Sequence, residues 1–143
     1  MPFEYPEKAS NLSLAYLLLR ATLGVNILLH GAARILSGTG HFVSTLVQQF
    51  HSAPLPQSLV VAFGYSLPWM EAVLGLLVLI GLFTRVALVL GALLILVLTF
   101  GTSLLQNWEV AGLQLIYAAV YAALLALLSA NRFSVDALIH RDK

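Results

Sequence analysis

Three side chains that hydrocarbon does not tolerate, Arg20, His30 and Arg34, sit in one apolar stretch of the chain, with Asn26 a weaker fourth; Glu71 sits in a second stretch. An ionised group at mid-membrane costs at least ~2.5 kcal/mol, so such residues are expected to pair with one another or to serve a ligand or a proton. At about 100° per residue, Arg20, His30 and Arg34 fall within an arc of about 80° on a helix, which predicts one polar face turned inward. Counting a rise of ~1.5 Å per residue from the outer ends of the two stretches brings Arg20 and Glu71 to similar depth and predicts an ion pair between them. That pair has two readings. It pins one helix to the next, or it forms the electrostatic floor of a ligand or proton site.

Other residues add to the pattern. Pro68, three positions before Glu71, removes a helical hydrogen bond to the carbonyl of Gly64 and loosens the helix beside the acid. Gln114, Tyr117 and Tyr121 share a stripe further along the chain, with Tyr121 near the depth of Glu71 and Tyr117 near that of His30. Tyr121 is too deep for an interfacial anchor. Thr99, Ser103 and Gln106 read as interhelical glue, and the glycines and alanines of the spans as close-packing positions. Several chemistries drop out. With no cysteine there is no disulfide, iron–sulfur cluster or thiol chemistry, and the histidines His41, His51 and His140 lie in polar segments, so a metal site and a haem between two helices are not expected. No Gly-rich phosphate loop or hydrolytic triad is apparent. What remains is a cavity lined by Arg, His, Glu and Tyr, suited to a greasy, carbonyl-bearing ligand.

The elements that must position these groups follow from composition. The chain has 143 residues, 60% of them apolar and 9% charged, against roughly 25% charged in an ordinary soluble domain. Thus the solvent of its surface is expected to be lipid. A net charge of +1 argues against nucleic-acid binding. Residues 1–11 read as a short irregular extension. Four apolar runs, about 12–36, 58–83, 86–106 and 110–131, each approach the ~20 residues that cross a ~30 Å hydrocarbon layer, and the first is too long for a cleaved signal. Between the first two runs, Phe42, Val43, Leu46, Val47 and Phe50 recur at helical spacing and predict an interfacial helix over about 41–53. The expected fold is all-α: one domain over 1–143, an up-down bundle of four transmembrane helices with that short helix between the first and second. Lys8, Arg85, Arg132, Arg141 and Lys143 fall on one side, which predicts both termini in the cytoplasm of a bacterial or archaeal inner membrane.

Arg20, Leu23-Gly24, His30-Gly31 and Arg34 in the first run, a Phe-bearing loop, Glu71, Gly75 and the ending Gly81-Leu82-Phe83-Thr84-Arg85 together resemble the DoxX family of small four-helix membrane proteins, from about Leu14 to Leu128. Members of that family often carry Lys at the position of Arg34. The related DoxD and DoxA subunits make up a thiosulfate:quinone oxidoreductase, so the resemblance implies a quinone-linked redox role. The resemblance supports Arg20, His30, Gly31, Arg34 and Glu71 as family-type positions; taken with the tyrosine stripe, it makes His30, Arg34, Glu71, Tyr117 and Tyr121 candidates for binding a quinone or small anion, above the charge pair Arg20 and Glu71, with no covalently bound cofactor.

Three functions are therefore in view. The first is a quinone-associated redox protein. The second is a non-catalytic accessory subunit that stabilises a larger respiratory or photosynthetic complex, joined to other membrane subunits or to copies of itself. The third, a transporter using Glu71 for protons, is disfavoured because four helices offer little scope for alternating access.

Overall fold

A computed structural model describes residues 6–141, whose regular elements are all helical, with no strand among the described residues. The elements are α1 (Pro6–Leu36), α2 (Thr39–Gln49), α3 (Gln57–Ile80), α4 (Thr84–Leu104), α5 (Trp108–Ala126), a 3-10 turn (Leu128–Ala130) and α6 (Val135–Arg141). Four of the helices, α1, α3, α4 and α5, are long and apolar enough to cross a membrane. The protein is a multi-pass membrane protein.

The helix begins earlier than the irregular extension expected over 1–11, because Pro6 is compatible with a first helical turn, where its missing N–H is not needed. Residues 1–5 of that extension lie outside the described residues. At the other end α5 stops at Ala126 rather than near 131, and the chain passes through the 3-10 turn into α6. Arg85 and Arg132 are exposed. Lys143 and the side chains of Lys8 and Arg141, which also entered the orientation argument, lie outside the described residues.

Sequential neighbours pack around a ring in which α1 meets α3, α3 meets α4, α4 meets α5 and α5 returns to α1. The core runs down its centre through Tyr16, Leu23 and Ile27 of α1, Val78 of α3, Leu88 and Ile95 of α4, and Tyr121 and Leu124 of α5. In lipid no hydrophobic force draws helices together, so close approach of small residues must supply the contact. The α1–α3 seam is built that way. A methyl added to Gly24 would overlap Leu79, one on Gly31 would overlap Pro68 and Ala72, and one on Gly75 would overlap Leu28.

These contacts set the register. The turn of α1 that holds Gly31 faces Pro68 and Ala72, so Leu36, at the end of α1, is reached well inside α3. The first turns of α3 project past α1 and are covered by α2, whose Val43 and Leu46 sit on Gly64. Hence α2 is a packed element: Val43 is buried while Ser44, Thr45, Gln48 and Gln49 are exposed.

Candidate functional site

The register decides which basic group meets the acid. Glu71, one residue before Ala72, comes level with the outer turn of α1, and its carboxylate accepts a hydrogen bond from Arg34 Nη1 in a salt bridge. Glu71 is 5% exposed in its side chain and Arg34 29%. The guanidinium also lies 4.7 Å from the centroid of the Phe42 ring, a cation–π distance. One arginine thus ties α1 to α3 through charge and to α2 through an aromatic face.

The expected partner of Glu71 was Arg20, and the structure corrects this. Arg20 is at the opposite end of the seam, where Nη1 donates to the carbonyls of Val78 (2.8 Å) and Leu79 (3.2 Å) and Nη2 to the carbonyl of Phe133 (2.7 Å). The physical reason is the overhang of α3. Aligning the outer ends of the two helices places the acid too deep relative to α1, because α3 starts beside α2 and not beside α1. Arg20 instead meets the C-terminal turn of α3, whose last carbonyls have no helical donor and carry the negative end of the helix dipole. Gly81 is required there twice over: its φ of 70° closes the helix, and a Cβ would collide with the Arg20 guanidinium.

The remaining expected site residues divide. Tyr121 is 1% exposed, its ring against Gly91 of α4. The Tyr117 hydroxyl donates to Asn26 Oδ1 at 3.0 Å, joining α5 to α1. Thr102 and Gln114 are bonded at 2.8 Å between α4 and α5. His30 is exposed, its Nδ1 2.9 Å from the carbonyl of Asn26 one turn back, so it does not share the inward face with Arg34 as expected. Arg34 and Glu71 are brought together; His30 does not join them.

Two groups were not singled out from sequence. Phe42 was read only as part of an apolar stripe, yet it carries the Arg34 guanidinium. Asp136, in α6, accepts from the backbone N–H of Phe83 (2.8 Å) and Thr84 (2.7 Å) at the start of α4. Acids at helix N-termini are a recognisable signal in one chain segment, but here the acid and the helix are 52 residues apart.

Chemically, a carboxylate held by a guanidinium presents no net charge to the bilayer core, and both groups are committed to each other. Among the described residues no cluster of three or more His, Asp or Glu side chains could hold a metal ion. An apolar groove of about 500 Å³ opens between α3 and α4, floored by Leu74 and Leu94 and flanked by Trp69, Met70 and Leu93. Arg34, Glu71, Tyr117 and Tyr121 do not line it.

Comparison with known proteins gives one family. The family described as "Methylamine utilisation protein MauE" matches residues 12–113, more than half of the chain. It is a different membrane family from DoxX, so the likeness to DoxX is overturned, and the thiosulfate:quinone role implied by it loses its ground. No curated protein and no solved structure matches the chain.

Proposed function

The chain belongs to the MauE family, and from that premise we propose that it is a non-catalytic membrane accessory protein of methylamine utilisation, stabilising other membrane subunits or a second copy of itself. The observation that carries the non-catalytic part is the fate of the charges inside the bundle. Arg20 is spent on carbonyls at the end of α3, and Arg34 and Glu71 are spent on each other. None of the three lines the apolar groove between α3 and α4, so their charge is directed at holding the helices together.

We place it in a bacterial or archaeal inner membrane with both termini in the cytoplasm, a reading supported by exposed Arg85 and Arg132 at the end of the bundle where α3 turns into α4.

The test is a deletion of the gene in its host. Without this chain the strain is expected to stop growing on methylamine, to grow normally on ammonium and another carbon source, and to recover when the wild-type chain is supplied. Undiminished growth on methylamine would overturn the proposal.

A further inference from the structure

Beyond α5 the chain doubles back past the end of α3. α5 stops at Ala126, and the segment that follows is fastened to the bundle at several points: Arg20 Nη2 donates to the carbonyl of Phe133, Asn131 Nδ2 to Thr84 Oγ1 at 3.1 Å, and the Asp136 N–H to the carbonyl of Gly81 at 3.0 Å. Ser134 Oγ accepts from the Ala137 N–H in the first turn of α6. These ties hold residues 131–138 against the C-terminal end of α3 and leave a groove of about 840 Å³ there, within the ~300–1,000 Å³ of small-molecule sites.

The walls of the groove are of two kinds. Ile80, Phe133 and Leu138 give it exposed apolar side chains, and Asn131, Ser134 and Arg132 give it a polar side. Arg132 is the one charged residue that lines it among the described residues. Its side chain is exposed and makes no hydrogen bond or ion pair among those residues. The nearest acid in sequence, Asp136, does not line the groove; its carboxylate accepts from the N–H groups of Phe83 and Thr84.

An uncommitted cation beside apolar walls, at the end of a membrane span, recognises an amphipathic anion. A phosphate ester answers the guanidinium, whose fork can hold two of its oxygens at once. Inorganic phosphate would satisfy the arginine and leave Ile80, Phe133 and Leu138 facing water. A phospholipid covers both, with its headgroup on the cation and its acyl chains along the apolar walls. A zwitterionic headgroup brings its own cation, so a lipid of net negative charge suits Arg132 better.

We propose that this groove binds one anionic phospholipid, with the phosphate held by Arg132 and the acyl chains laid on Ile80, Phe133 and Leu138. The site lies apart from the Arg34–Glu71 pair and does not rest on the proposal on methylamine, so the two can fail separately.

The test is native mass spectrometry of the full chain, released from detergent in the presence of equal amounts of dioleoyl phosphatidylglycerol and dioleoyl phosphatidylcholine. The wild-type chain is expected to retain phosphatidylglycerol in preference, and Arg132→Gln to lower that preference about fivefold, the factor one arginine contributes against anionic lipid. Arg85→Gln removes the same charge from an exposed residue at the same end of the bundle but outside the groove, and should leave the preference as in the wild type. Equal retention of the two lipids by the wild-type chain, an unchanged preference in Arg132→Gln, or an equal fall in both variants would overturn the site. The bound lipid is also expected to survive a large excess of glycerol 3-phosphate, a headgroup without chains; its displacement would assign the groove to a soluble phosphate ester and overturn the lipid.

Discussion

Arg34 and Glu71 form the salt bridge between α1 and α3, and the two partners are unequally buried: 29% of the Arg34 side chain is exposed against 5% of Glu71. That inequality makes the two single substitutions unlike each other. Arg34→Met leaves a carboxylate buried without its cation, at a cost of about 3–5 kcal/mol. Glu71→Gln leaves an arginine that can turn toward the interface and still rest on Phe42, at a cost of about 1–2 kcal/mol. Unfolding in lipid nanodiscs should rank Arg34→Met as the less stable variant, and the reverse order would show that the acid does not depend on Arg34.

How much of this was legible in sequence depends on the kind of information. The four spans could be read because apolar runs of membrane length report directly on the solvent around them. The pairing of Glu71 could not be read from depth, because depth requires knowing where α3 stands relative to α1, and its first turns are covered by α2 instead. The signal that carries register was present in Gly24, Gly31 and Gly75, which were read as close-packing positions without being matched to partners. Gly31 against Ala72 would have brought Arg34, and not Arg20, beside Glu71. Asp136 was out of reach for a different reason: nothing local to α6 marks it as a partner of a helix that starts 52 residues earlier.

Close packing along α1 and α3 gives a second expected outcome. Gly31→Val drives a branched side chain into the backbone of Pro68 and Ala72 and should cost about 3 kcal/mol or more, since backbone cannot yield as a flexible side chain does. Gly112→Ala is the control. Its added methyl meets nothing within 4 Å, and the change should leave stability level or slightly raised. Equal thermal midpoints for the two variants would remove the glycine seam as the source of register.

The C-terminal segment should hold the start of α4. Asp136 caps two backbone N–H groups, one of them on Phe83, a residue held at a φ of 48° that L side chains adopt reluctantly. Asp136→Ala should cost about 1–3 kcal/mol and, more specifically, speed amide hydrogen exchange at Phe83 and Thr84 while leaving α2 unchanged. Unaltered exchange at those two amides would contradict the cap.

Tyr117→Phe removes the 3.0 Å hydrogen bond to Asn26 and nothing else of size. Hydrogen bonds between membrane helices average about 0.6 kcal/mol, so the variant should be only slightly less stable and should support growth on methylamine as the wild type does. A folded Tyr117→Phe variant that loses growth would assign this hydroxyl a role in chemistry.

The sharpest measurement restores packing without restoring charge. A deletion strain is supplied with Arg34→Met/Glu71→Met, in which both members of the pair are replaced by apolar side chains, and its growth rate on methylamine is compared with that of the strain carrying the wild-type chain. Replacing a buried ion pair by well-packed apolar groups is often neutral or stabilising. If the pair serves as a fastener in an accessory protein, the double variant is folded and growth matches wild type; a folded double variant that cannot support growth would show that the charges themselves take part in the function.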